Sequence, residues 1–269
     1  MIGIYNGVVD DIDNIKVSPM SRAYTFGDAI YGVIPYANGF IHFKQHITRF
    51  MQSLKNLNIK LDRKIVEEDI AKLPVKDTGY VYYQVSKGID KVRSHIWEGG
   101  EPERFGFFAE HDLKPKSPKT LMILEDNRWT RCDIKTTGRP GNILGLETAM
   151  AKGYDDVLFK KDGYILESSA SNIFFVEDNI VYTPILSNNI LEGITRMEVF
   201  SLCYQNDIEI KESHYRVQDI LSADAVFLTS SISGITKISC IDNTQFSTDN
   251  SIVDKLQQDY FKNNLNFVI

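Results

Sequence analysis

Leu191-Glu192-Gly193-Ile194-Thr195-Arg196 places a glycine and a threonine at the start of an apolar run that continues to Tyr204 with helical spacing. A helix opened by glycine leaves its first backbone N–H groups without intrahelical partners. A hydroxyl among those donors makes an anion site suited to a phosphate. An ordinary capped helix is the plain alternative, so the neighbours decide. Upstream, Glu167-Ser168-Ser169-Ala170-Ser171-Asn172 leads into Ile173-Phe174-Phe175-Val176, a strand of buried type. Downstream, Ala225-Val226-Phe227-Leu228-Thr229 is another such strand, and it runs into Ser230-Ser231. Strands and helices mix here without regular βαβ alternation, which predicts an α+β fold.

Further out, 3–9 reads as a short strand and turn, and 29–36 is rich in β-formers before the turn Ala37-Asn38-Gly39. Phe40-Ile41-His42-Phe43 is a candidate hairpin partner for it. From His46 the period changes: Ile47, Phe50, Met51, Leu54 and Leu57 mark an amphipathic helix. A weaker helix is expected over 65–73 and a strong strand over 79–87. Residues 112–119 are polar with two prolines, which predicts a linker. It would divide a smaller N-terminal α/β domain, 1–111, from a larger, β-rich C-terminal domain with helices, 120–269. In the latter, strands are expected over 120–125, 130–136, 156–160 and 171–176, with a hairpin over 177–182. Helices are expected over 143–150, with Gly153 as its C-cap, and over 194–204 and 252–261.

Composition narrows the class. Lys and Arg total 30 against 36 Asp and Glu, so the net charge of −6 argues against a nucleic-acid partner. No apolar run approaches the ~18 residues that span a bilayer. Three scattered cysteines and no basic, apolar leader fit a reducing, cytoplasmic setting. His42 and His46 stand four apart, but a turn between them argues against a metal site. The glycines of Gly138-Arg139-Pro140-Gly141-Asn142-Ile143-Leu144-Gly145 lack dinucleotide-loop spacing.

Three features carry chemistry together. Lys135, in the alternating stretch Arg131-Cys132-Asp133-Ile134-Lys135-Thr136, would hold its amine on one face of a strand. A lysine held inside a protein can lose its proton and form a Schiff base. Glu167, among small hydroxyl residues, can partner a pyridinium nitrogen, which pyridoxal phosphate needs to act as an electron sink. The glycine–threonine helix start and Thr229-Ser230-Ser231 supply phosphate donors.

With Ser21-Arg22-Ala23-Tyr24-Thr25-Phe26-Gly27-Asp28-Ala29-Ile30-Tyr31 and His46-Ile47-Thr48-Arg49-Phe50, these motifs resemble, in order and over nearly the whole chain, the fold-type IV pyridoxal phosphate enzymes, the class IV aminotransferases. The resemblance implies that Lys135 carries the cofactor as a Schiff base and moves the substrate proton. It implies that Glu167 binds the pyridine nitrogen and that Leu191 packs on the ring. Arg49, Gly193, Ile194, Thr195, Ser230 and Ser231 would surround the phosphate. It also implies two domains and a homodimer.

Arg93-Ser94-His95 gives the substrate reading. An Arg-x-His pair at a strand end would project both side chains from one face, and an arginine fork binds a carboxylate bidentately. The pair resembles the carboxylate trap of D-amino acid aminotransferases, completed by Tyr31 and reaching across from the other subunit. Gly32 stands where those enzymes usually carry an acidic residue. Transamination of a D-amino acid of the alanine or glutamate type with a 2-oxo acid is therefore expected. 4-Amino-4-deoxychorismate lyase and L-branched-chain aminotransferase are the family alternatives; a scaffold that has lost catalysis would lack Lys135 or Glu167.

Overall fold

The computed structural model describes residues 1–265. The chain divides into two compact units, Met1–Leu113 with Ile134–Arg139, and Lys114–Asp133 with Pro140 onward.

The first unit begins with β1 (Ile2–Tyr5) and β2 (Val8–Asp11), turned by Asn6 and Gly7 at positive φ, the conformation a two-residue hairpin needs. A short α1 (Arg22–Phe26) ends on Gly27 in the left-handed region, whose N–H returns to the Ala23 carbonyl. Then come β3 (Ala29–Ala37), α2 (Phe43–Asn56), α3 (Arg63–Ala71), β4 (Thr78–Ser86) and β5 (Glu103–Glu110). The strands form one antiparallel sheet in the order β2-β1-β5-β4-β3. Ile47, Phe50 and Leu54, one stripe of α2, are buried against Ile34, Val81 and Tyr83 of the sheet. No strand forms at 40–43. Phe40 makes a single bridge to Tyr36, and His42, at positive φ, turns the chain straight into α2. Strand β5 carries no clear alternation, and Gly106 sits inside it for a packing reason: a Cβ there would lie 2.8 Å from the Tyr83 ring.

The expected strand over 130–136 is also absent. One bridge, Ile30 to Thr136, stands in its place. The Tyr31 N–H donates to the Lys135 carbonyl at 3.0 Å, and the Thr137 N–H to that of Ala29 at 2.9 Å. With the Ile134 side chain in the first unit's core, these bonds account for 134–139 grouping with that unit rather than with the rest of 120–269.

The second unit contains β6 (Lys119–Glu125), α4 (Pro140–Met150), β7 (Asp156–Lys161), β8 (Tyr164–Ser168), β9 (Asn172–Glu177), β10 (Ile180–Pro184) and α5 (Ile194–Gln205). It continues with β11 (Ile210–Ser213), α6 (Val217–Leu221), β12 (Ala225–Ser230), β13 (Gly234–Ile241), β14 (Thr244–Gln245) and α7 (Ser251–Leu265). The sheet runs β11-β10-β9-β12-β13-β6-β7-β8, with β14 beside β13, and β8 pairs back onto β9. That closing contact is the single pair Glu167–Asn172. Strands β9 and β12 are apolar on both faces because both are covered. Phe174 and Phe227 stack at 5.0 Å between ring centroids, and Val199 and Leu202 of α5 and Leu256 and Phe261 of α7 bury that face. Among the described residues, no helix is long and apolar enough to cross a membrane.

Candidate active site

In the first unit, Lys135 lies in an irregular segment, not on a strand. Its position is set by the bonds to β3 and by buried Ile134. Its amine stands 4.5 Å from the centre of the Tyr31 ring. The Tyr31 hydroxyl accepts from Arg139 Nη1 at 2.7 Å, and the ring stacks on Tyr82 at 5.7 Å. Burial of the Lys135 amine brings its pKa down to about 8; Tyr31 opposes the shift, and the charges of Arg49 and Arg139 add to it. Burial works to raise the Tyr31 pKa, but the charges of Lys135 and Arg139 outweigh it and leave the phenol below its ordinary value. One helical turn before Arg49, His46 is buried. Burial first, then the charges of Arg49, Lys135 and His42, hold it well below the usual histidine range. Its Nδ1 has no hydrogen-bond partner among the described residues. Those residues contain no cluster of ligands for a metal ion.

Arg93 and His95 lie in the loop between β4 and β5 and are exposed, not at a strand end as expected. Phe26 brings them together. The Arg93 guanidinium lies 4.4 Å from the centre of its ring, and the His95 ring lies 5.5 Å away. Arg22, bound to Asp28 and Asp90, donates to the Ser94 carbonyl at 2.9 Å and tethers this loop. At Gly32 a Cβ would lie 3.2 Å from the Phe50 ring, so helix packing explains the small residue.

The second unit holds the candidate carboxylate and the uncapped start of α5. Glu167 is buried at the end of β8. One oxygen accepts from Arg128 Nη1 at 2.6 Å; the other accepts from Asn172 Nδ2 at 3.2 Å and the Leu191 N–H at 3.1 Å. Arg128 also grips Asp126 through Nε and Nη2, at 2.8 and 3.0 Å, and lies 4.5 Å from the centre of the Phe159 ring. Burial opposes its charge, but the Asp126 hydrogen bond and Glu167 outweigh that and raise its pKa. Asn172 Nδ2 donates in addition to the Leu191 carbonyl at 2.8 Å, which fixes the approach to α5. A Cβ on Gly193 would fall 2.2 Å from Asn172 Oδ1, so close backbone approach demands glycine there. No side chain caps α5. The N–H groups of Ile194, Thr195 and Arg196 therefore have no partner within the helix. Ser230 and Ser231 are half-buried at the end of β12. Beside them the buried Thr229 hydroxyl has no partner among the described residues.

These residues fit pyridoxal 5′-phosphate unit by unit. The first unit offers an amine of lowered pKa; the second offers an anion receptor at the α5 start and a buried carboxylate. Arg128 and Arg139 carried no sequence signature. A buried glutamate calls for a cation, but nothing in the sequence ranks Arg128 above other arginines. Arg139 sat inside the glycine-rich run whose spacing excludes a dinucleotide loop.

Comparison with known proteins agrees. Residues 32–241 match the family described as amino-transferase class IV. A D-alanine aminotransferase of Listeria monocytogenes is 30% identical over 255 residues, which cover 90% of this chain and 88% of that protein. The T.th. branched-chain amino acid aminotransferase, solved with pyridoxamine 5′-phosphate, superposes with a TM-score of 0.89 at 22% identity, covering 98% of this chain and 94% of that one. A putative 4-amino-4-deoxychorismate lyase from Legionella pneumophila superposes with a TM-score of 0.82 at 25% identity, covering 91% and 94%. With the fold, the family match and the relatives in agreement, the chain belongs to the class IV aminotransferases, fold-type IV transaminases that work with pyridoxal 5′-phosphate on amino acids and 2-oxo acids.

Proposed function

We propose that this enzyme transaminates D-amino acids of the alanine and glutamate type with a 2-oxo acid as acceptor. The observation that carries the reading is the Lys135 amine, pKa about 8, set over Tyr31 in the unit that also gathers Arg93 and His95 on Phe26. The relatives named D-alanine aminotransferase support the choice of enantiomer.

When bound, pyridoxal 5′-phosphate supplies an aldehyde that condenses with amines and a ring that acts as an electron sink. Arg49, the backbone N–H groups of Ile194 and Thr195 beside Gly193, and the hydroxyls of Ser230 and Ser231 would hold its phosphate. Leu191 would pack on its ring. Glu167, held by Arg128 and Asn172, would accept a hydrogen bond from the protonated pyridine nitrogen. Lys135, as the free amine, would take the proton from the substrate Cα and hold it for return, the role a base titrating near neutrality performs well. Tyr31, Arg93 and His95 bind the substrate carboxylate. Because Arg93 and His95 are exposed, they can serve an active site of a second copy, and a homodimer is part of this reading.

The test is a half-reaction. Protein loaded with cofactor is mixed with D-alanine, D-glutamate or L-valine, and the visible absorbance is followed. Loss of absorbance with the D-amino acids alone is the expected result. Loss with L-valine would overturn the enantiomer assignment. Inertness toward all three, with pyruvate released from 4-amino-4-deoxychorismate, would put the lyase reading in its place.

A further inference from the structure

Arg139 stands four residues after Lys135, immediately before the proline that opens α4. A residue before proline is restricted to extended backbone, so the side chain leaves the main chain in a narrow range of directions. Gly138 is held close on the other side: a Cβ on Gly27 would approach the Gly138 Cα to 2.9 Å. From this pinned position the guanidinium donates to Tyr31 Oη at 2.7 Å. The Lys135 amine lies over the same ring, 4.5 Å from its centre. With cations on two sides, the Tyr31 hydroxyl is directed to donate its own proton to an anion. The phenol is fixed from behind by the stack Tyr31–Tyr82–Phe107, at 5.7 and 5.3 Å between ring centres. A planar guanidinium fork and a phenol proton on one site beside a reactive amine match the shape and charge of a carboxylate.

We propose that Arg139, with Tyr31, is a receptor for the α-carboxylate of the substrate, supplied by the same unit as Lys135. This rests on Lys135 being the amine that reacts. It differs from a trap built on Arg93 and His95, because Arg139 and Tyr31 need no second copy of the chain. In this assignment Arg139 joins Tyr31 on the carboxylate from within the unit, and Arg93 and His95 remain the further donors to it that a second copy would supply.

The test separates carboxylate binding from chemistry. Propionate, which has a carboxylate but no amine, is titrated by calorimetry into the cofactor-loaded wild type and into Arg139→Gln and Arg139→Lys. The half-reaction is measured with D-alanine and with D-alaninol, which lacks the carboxylate. Arg139→Gln is expected to weaken propionate and D-alanine roughly 10- to 100-fold, the range for losing a charge-assisted bond. D-Alaninol should change by less than about threefold, and Arg139→Lys should recover part of the loss. Unchanged propionate affinity in Arg139→Gln would overturn the proposal and leave the carboxylate to Arg93 and His95. Equal losses for D-alanine and D-alaninol would also overturn it, since Arg139 would then act through Lys135. Failure of the transaminase reading would look different: wild type inert toward every amine, with propionate binding still dependent on Arg139.

Discussion

Replacing Arg128 with leucine should be among the most damaging single changes in the second unit. The Arg128 side chain is 1% exposed, and the carboxylates of Asp126 and Glu167 are 4% and 8% exposed. Its guanidinium makes four hydrogen bonds: two to Asp126, one to Glu167 and one to the Asn189 carbonyl. Leucine would leave two buried carboxylates with no cation between them. Breaking a buried ion pair from one side costs about 3–5 kcal/mol, a large part of the ~5–15 kcal/mol that separates folded from unfolded proteins. The chain's two tryptophans, Trp97 and Trp129, make the measurement local. In a Trp97→Phe background, urea unfolding followed by fluorescence reports on Trp129, the residue after Arg128. Arg128→Leu, Glu167→Gln and the double variant form a cycle. Residues in one buried network couple by about 0.5–3 kcal/mol, so the double variant should be less damaged than the sum of the singles. A loss under about 1 kcal/mol in Arg128→Leu, or strict additivity in the cycle, would refute the claim that Arg128 holds Glu167 in place.

The lowered pKa of Lys135 can be read in the cofactor-free protein by competitive acetylation and mass spectrometry. Labelling should rise through about pH 8, whereas an ordinary lysine titrates near 10.4. Because the folded state releases this proton earlier than the unfolded state, Lys135 should add stability as pH rises from about 8 to 10.5, visible as a rise absent from Lys135→Met. Lys135→Ala should abolish turnover, and near-normal turnover would remove the lysine from the mechanism. Gly193→Ala forces a Cβ onto Asn172 Oδ1, so it should lower stability by about 1–3 kcal/mol and weaken phosphate binding, measured as the dissociation constant of pyridoxal 5′-phosphate. Phe26→Leu removes the ring that Arg93 and His95 share; KM for D-amino acids should rise several-fold with kcat little changed, and an unchanged KM would detach that loop from substrate binding.

Local patterns carried most of the architecture. The 3.6-residue period of Ile47, Phe50, Leu54 and Leu57 marked α2, and the continuous apolar runs at 173–176 and 225–229 marked β9 and β12, because side-chain period is a property of the segment itself. The same patterns misread two places. Residues 130–136 alternate like a strand, yet they find no neighbour along their length to pair with, and only the bridge at Thr136 forms. Phe40-Ile41-His42-Phe43 is apolar enough for a strand, but the left-handed turn at His42 hands Phe43 to the helix.

By itself, the sequence determined the family and offered the candidates for its chemistry in order: a lysine, a glutamate and a glycine–threonine helix start. Only the tertiary structure decided which charges meet. The Arg128–Glu167 bond joins residues 39 apart, and the Arg139–Tyr31 bond joins residues 108 apart. Neither leaves a period or a spacing in the chain. A long-range ion pair is selected by what the fold buries, since a buried charge must find its partner wherever the chain brings one.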